Sequence, residues 1–153
     1  MNNKIATTNP APVNYNPHQA TLEQMRFDPV TFPRLKAIPR EQAVFDMVKI
    51  VSQAFLYRGQ AADPTNIQFI ASSLVNEFLE DKNSFLACGD LSLAEIHSVI
   101  KSAVLGSDMF GISVSSLYRI VKEYIRGEGR SHQERVQSMK WLDKLMSRQQ
   151  QNQ

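Results

Sequence analysis

Apolar residues recur every three or four positions through most of the chain after residue 39, which is the spacing of one face of an α-helix. The first such segment shows the pattern at Val44, Met47, Val48, Val51 and Phe55. No segment alternates apolar and polar residues for long, as a half-buried strand would. The pattern therefore predicts an all-α protein, a compact bundle of four to five helices.

Capping residues predict the bounds of the first two helices. The first helix should run from about Pro39 to Tyr57, because Gly59 suits a left-handed cap just after the helix. The second should open with Asp63 as its N-cap and Pro64 in its first turn, and end near residue 81.

Serine residues mark the starts of the other three helices. Ser92 and Glu95 have the spacing of a capping box at the start of the third helix. Ser113 is the predicted N-cap of the fourth helix. Ser131 and Glu134 repeat the capping-box pattern at the start of the fifth.

Prolines set the N-terminal part of the chain apart, because six of the seven lie between positions 10 and 39. Proline fixes φ and lacks an N–H, so residues 1–38 are predicted to form a disordered or extended arm. Phe27, Phe32 and Leu35 are apolar anchors within it. Such an arm either packs on its own core or docks on a partner, in which case these three residues contact the partner. Residues 39–127 then form the helical core domain, and residues 128–153 a basic amphipathic helix with a frayed tail.

Charge is unevenly distributed along the 153 residues, whose net charge is only +2. Residues 1–40 carry +3, residues 41–126 carry −3 and residues 127–153 carry +2. Basic ends on an acidic body can contact phosphates, or can serve solubility alone. A uniformly basic coat for nucleic acid is excluded.

Catalytic patterns were sought and not found. The sequence has no Gly-rich phosphate loop, no His-Glu-x-x-His and no Gly-x-Ser-x-Gly. The single cysteine, Cys88, has no cation nearby in the sequence to activate it. We therefore expect a protein that is not an enzyme and that has no cofactor and no metal. With no apolar signal core and no membrane-spanning run, the expected location is the cytoplasm.

The fourth helix carries a basic stripe of Arg119, Lys122 and Arg126. The string from Phe110 to Arg119, FGISVSSLYR, resembles the turn and recognition helix of the helix-turn-helix in serine recombinases. The resemblance implies that Ser115, Ser116 and Arg119 contact DNA bases or backbone. With the stripe, it predicts a nucleic-acid-binding face.

A wider pattern covers residues 66–126. Its parts are Ile67-Gln68 with Ala71, the string LSLAEI that begins at Leu91, Gly106, Phe110-Gly111 and a last helix that ends KEYIR at Arg126. This arrangement is similar to small all-helical phage and mobile-element proteins, some of which resemble replicative helicase loaders. The resemblance implies a helical adaptor that acts on a helicase or on replication-fork DNA.

The fifth helix offers a second candidate surface. Trp141 lies next to Lys140, and Lys144 and Arg148 follow at four-residue spacing. This basic amphipathic helix either packs on the bundle or swings out to bind a protein, DNA or an anionic surface.

These features favour a non-enzymatic adaptor in phage or mobile-element DNA replication, with a protein partner such as a replicative helicase. The first alternative is a helix-turn-helix DNA-binding protein. The second is a structural or assembly protein that uses its N-terminal arm.

Overall fold

The computed structural model describes residues 21–82, 86–106, 111–127 and 130–151, except for the side chains of 130–136, 138, 150 and 151. It contains six α-helices: α1 (Leu22–Phe27), α2 (Arg40–Tyr57), α3 (Pro64–Glu80), α4 (Leu93–Gly106), α5 (Val114–Gly127) and α6 (Arg130–Gln151). No strand occurs in the described ranges, so the all-α prediction is confirmed. Residues 1–20 of the predicted arm lie outside these ranges.

Helices α2 to α5 form a closed ring around the main core. α2 packs on α3 and α4, and α5 packs on the same two helices. Most core residues come from the apolar faces of these four helices, and the largest of the fully buried ones include Phe78, Met47, Leu74, Ile100 and Leu117. Burial of these stripes is the main stabilising contribution to the bundle.

The predicted helix ends agree closely with the structure. At the end of α2, Gly59 has φ 67°, and its N–H donates to the carbonyl of Leu56. The next amide, of Gln60, donates to the carbonyl of Phe55, which completes a Schellman cap. At the start of α4, the N–H of Glu95 donates to Ser92 Oγ, as the capping-box prediction requires. Helix α6 begins at Arg130, one residue before the predicted cap, and the side chains of residues 131 and 134 lie outside the described set.

The segment from residue 21 to residue 38 corrects the prediction of an extended arm. It contains α1, a turn and a short 3-10 helix, Leu35–Ala37, and it packs on the bundle. Thr21 and Gln24 form a capping box that starts α1, although prolines follow closely. The amide of Leu35 donates to the carbonyl of Leu91 over 2.8 Å, so the segment is tied to the loop before α4.

Two predicted partner contacts in this segment are wrong for the same reason. Leu35 is fully buried in the main core, and Phe32 is buried in a smaller cluster with Met25 and Ala94. Side chains that already pack inside the chain present no surface to a partner. Phe27 is only half-buried and stays a candidate.

Candidate functional site

Helix α6 is attached to the rest of the protein through one of its faces. Met139 is 7% exposed and joins the main core. One turn later, Asp143 accepts a hydrogen bond of 2.6 Å from Nη2 of Arg34, although the Asp143 side chain remains 50% exposed. Arg34 also lies 3.8 Å from Asp90, so it links α6 to the loop before α4.

The opposite face of α6 is open to solvent. Trp141, Lys144, Leu145 and Arg148 lie at i, i+3, i+4 and i+7, so they project from one side of the helix. All four are exposed, and the exposed fraction of Trp141 is 63%. We call these four residues the outward face of α6. Lys140 is also exposed and lies at its edge.

The outward face of α6 is both apolar and cationic. Trp141 and Leu145 are its apolar members, and Lys144 and Arg148 are its cations. Between residues 137 and 149 of the helix, the only acid is Asp143, which is on the attached side and is engaged by Arg34. Trp and Arg are enriched among the residues that dominate binding energy in protein interfaces. On a helix face that contacts only water, an exposed Trp would contribute nothing to the fold.

Phe27 lies beside this surface. With Gln137, Trp141 and Leu142 it lines an open depression of about 410 Å³. The structure therefore brings together two aromatic residues that are more than 100 positions apart, both predicted as protein contacts. The depression extends the outward face of α6 onto the end of α1.

The basic stripe of α5 is divided in the structure. Arg119 and Arg126 are exposed, as is Ser115. Lys122 lies between the two arginines on the same face, but its Nζ is 3.1 Å from both carboxylate oxygens of Asp81, and its side chain is only 14% exposed. The stripe is therefore interrupted by an internal ion pair, and Lys122 is not available to a phosphate.

Ser116 has a structural role at the start of α5. Its Oγ accepts from the amide of Ser113 and donates to the carbonyl of Gly111, while its own amide donates to Ser113 Oγ. These bonds close the first turn of the helix. The hydroxyl predicted to contact DNA is thus already occupied. Phe110, the first residue of the recombinase-like string, lies outside the described ranges.

Asp81 is the centre of a small electrostatic cluster at the end of α3. Burial raises the pKa of its carboxyl, but the amide N–H of Cys88 and the ammonium of Lys122 outweigh burial and hold that pKa below its usual range. Burial, and then the hydrogen bond and charge of Asp81, raise the pKa of the Cys88 thiol well above its ordinary value. The thiol therefore stays protonated at neutral pH and is a poor nucleophile.

A second polar network, which the sequence did not reveal, attaches α1 to α4 and α5. Tyr124 donates from its hydroxyl to Oε2 of Glu95, and Nη2 of Arg26 donates to the Tyr124 hydroxyl over 2.6 Å. Nε of Arg26 lies 3.4 Å from the same Glu95 oxygen. Glu95 is almost fully buried, and the network compensates its charge. Because the spacing of Ser92 and Glu95 fits a capping box, Glu95 was predicted to act at the helix start, and its place in this network was not predicted.

The described residues provide neither a metal site nor a membrane-spanning helix. They contain no group of three or more His, Cys, Asp or Glu side chains that could hold a metal ion. Nor does any helix among them combine the length and apolar character needed to cross a bilayer. Comparison with protein-family models, curated proteins and solved structures finds no match for this chain.

Proposed function

We propose that this protein is a non-enzymatic helical adaptor that binds a protein partner through the outward face of α6. The observation that carries the proposal is the pairing of Trp141 and Leu145 with Lys144 and Arg148 on one exposed face of the helix. The bundle holds α6 in place by its other side. An amphipathic helix presented in this way is suited to insertion into an apolar groove of a partner.

The charges on α6 specify the partner surface further. Lys140, Lys144 and Arg148 surround the apolar pair, and no acid lies on that side between residues 137 and 149. A groove with an acidic rim would match this surface, and the charge pairs at its edge would steer association and weaken with salt. The resemblance to helicase-loader-like phage proteins makes a replicative helicase the first partner to test.

The test is co-purification of the full chain with the replicative helicase of the same host at low salt. Binding is expected, and Trp141→Ala should reduce the affinity by tenfold or more, as expected for an aromatic anchor at the centre of an interface. Phe45→Ala is the matched control, because Phe45 is an aromatic residue of similar exposure, 60%, on α2. No co-purification, or equal effects of the two substitutions, would refute the proposal.

DNA binding through α5 is a second candidate, supported by the exposure of Arg119 and Arg126. Pairing with Asp81 removes the charge of Lys122 from the same face, which is why we rank this candidate second. It predicts that Arg119→Ala abolishes a gel shift of duplex DNA at low salt, whereas Lys144→Ala leaves the shift unchanged. The adaptor proposal predicts no gel shift with the unmodified chain.

A further inference from the structure

Helices α4 and α5 leave an open groove between them on the surface of the bundle, with a volume of about 530 Å³. Small residues of α4 form one wall, where Ser98, Ser102 and Gly106 follow one another at four-residue spacing. Half-buried Ile120 of α5 lies on the other wall. Neither proposed function uses this groove.

The groove and the outward face of α6 match in length. The eight-residue rise from Ser98 to Gly106 is about 12 Å, and the seven-residue rise from Trp141 to Arg148 is about 10 Å. Because α4 offers mainly small side chains here, a second helix can approach it closely and fill the groove with larger ones. An amphipathic helix that lays its apolar face into an apolar groove is a common mode of recognition.

The charges of the two surfaces are opposite. Glu123 is the one charged residue among the described residues that line the groove, and it is exposed. Glu23, also exposed, adjoins Leu22 at the end of the groove. The outward face of α6 carries two cations and no acid. Opposite charges at the edge of a contact favour encounter in the matching orientation.

The two exposed arginines of α5 lie outside the groove. Successive residues of a helix are about 100° apart around its axis, so Ile120 and Tyr124 lie to one side of Glu123. Arg119 and Arg126 lie to the other side of Glu123 by the same geometry. Glu123 is therefore the charge of α5 that is nearest to the groove.

A molecule cannot insert its outward face of α6 into its own groove. Met139 and Asp143 hold the opposite face of the helix against the bundle, so the outward face points away from it. We propose that the outward face of α6 of one molecule binds in the α4–α5 groove of a second copy of this chain.

This contact has two consequences. Each molecule contributes one helix face and one groove, so the contact is head-to-tail and either extends into chains or closes into a ring. A single helix face buries less than the roughly 1,200–2,000 Å² of a stable interface, so the association is weak and depends on concentration. A bound copy also covers the surface that the partner needs. This competition rests on the proposed function, whereas the contact between copies stands without it.

Sedimentation velocity of the full-length protein at low salt tests the contact. The weight-average mass should rise above that of one chain across about a hundredfold range of protein concentration, by mass action. Trp141→Ala removes the aromatic residue of the face, and Ser102→Trp fills the groove at an exposed position. Each should weaken the association by about tenfold or more, with an unchanged melting temperature. Phe69→Ala is the matched control, because Phe69 is an apolar residue of similar exposure, 64%, on α3, and it should associate like the unmodified chain.

A mixture of the two variants shows which surfaces meet. Trp141→Ala keeps an intact groove, and Ser102→Trp keeps an intact helix face. Their equimolar mixture should form 1:1 heterodimers and nothing larger. Glu123→Lys, which reverses a charge without adding bulk to the groove, should behave like Ser102→Trp. The inference is overturned by a single-chain mass of the unmodified protein at every concentration, by full association of either variant alone, or by a mixture without heterodimers.

Helicase capture by Ser102→Trp separates the two proposals. The variant leaves the outward face of α6 free, so it should capture the helicase at least as well as the unmodified chain. Self-association without capture would support the contact between copies and refute the proposed function alone. Capture without self-association would overturn the contact alone.

Discussion

Helices α1 and α6 are both added to the outside of the four-helix bundle, but they are attached in opposite ways. Helix α1 has six residues, and it is secured by buried Met25 and by the network of Arg26, Glu95 and Tyr124. Helix α6 has 22 residues, and its described attachment consists mainly of Met139, half-buried Leu142 and an ion pair to the half-exposed Asp143.

This difference shows that the length of a helix is a poor guide to how much the helix contributes to the stability of the fold. Stability comes from the apolar area and the desolvated polar groups that an element buries. On that measure α1 is part of the core structure, whereas most of the described surface of α6 lies outside the core. Substitutions in the two helices should therefore have very different effects on stability.

The largest effect is expected from Glu95→Ala. The substitution removes the buried carboxylate that accepts from the Tyr124 hydroxyl and that pairs with the guanidinium of Arg26, so the free energy of unfolding should fall by about 3–5 kcal/mol. Urea denaturation measures it. Glu123→Ala removes an exposed glutamate from α5 and should change stability by less than about 0.5 kcal/mol. Equal losses in the two variants would show that the network does not secure α1.

A pair of methionine substitutions compares the two helices directly. Met25→Ala removes a side chain that is 3% exposed and should cost about 2–5 kcal/mol through lost burial and the cavity that it leaves. Met146→Ala in α6 removes one that is 39% exposed and should cost far less. Thermal unfolding of both variants measures the difference. A large loss from Met146→Ala would contradict the peripheral attachment of α6.

A smaller effect is expected from Asp81→Asn, which removes the carboxylate that pairs with Lys122 inside the bundle. The loss at neutral pH should be about 1–3 kcal/mol, because a partly buried ammonium loses its counter-charge. The folded pKa of Asp81 lies below its unfolded value. Its stabilising contribution is therefore complete above the unfolded pKa, near 4, and is lost as pH falls through the folded pKa.

Urea denaturation as a function of pH checks this sign. The stability gap between the unmodified protein and Asp81→Asn should be constant near neutral pH and should close in strong acid. Asp63→Asn is the control, because Asp63 is exposed, makes no side-chain cap hydrogen bond and is replaced by an equally good capping residue. A gap that widens as pH falls would contradict the lowered pKa of Asp81 in the folded protein.

The smallest effect on global stability is expected from Asp143→Asn, which weakens the ion pair between Arg34 and α6. Surface ion pairs contribute about 0–1 kcal/mol, so the unfolding midpoint should hardly move. Amide hydrogen exchange should nevertheless become faster in α6 alone, while α2 to α5 keep their protection. Faster exchange throughout the bundle would mean that α6 supports the core after all.

Much of the bundle could be predicted because its signals are local. The apolar stripes, the Schellman glycine Gly59 and the serine caps before α4 and α5 act within one or two turns of helix. The prediction of an extended segment was wrong for residues 21–38, where Thr21 and Gln24 form a capping box and start α1. The prolines that follow were given too much weight, since they lie beyond the end of a very short helix.

Candidate site residues were harder to predict, because side-chain availability depends on distant partners. Trp141, Lys144 and Arg148 are exposed where the helical spacing placed them, and their role in binding stays a prediction. Lys122 has the same sequence pattern as Arg119 and Arg126, yet Asp81, 41 positions away, neutralises it. Ser116 was predicted as a DNA contact, and the local turn uses its hydroxyl instead.

The sequence by itself determined the helical class, the number of long helices and most of their ends, because backbone hydrogen bonds and caps are set by neighbours along the chain. Only the tertiary structure decided which polar groups are buried together and which apolar groups remain outside. Glu95 is paired with Arg26, and Phe27 and Trp141 line the same depression, although the residues of each pair are far apart in the chain. Such contacts depend on how helices pack, and packing geometry cannot be read from the spacing of residues within one helix.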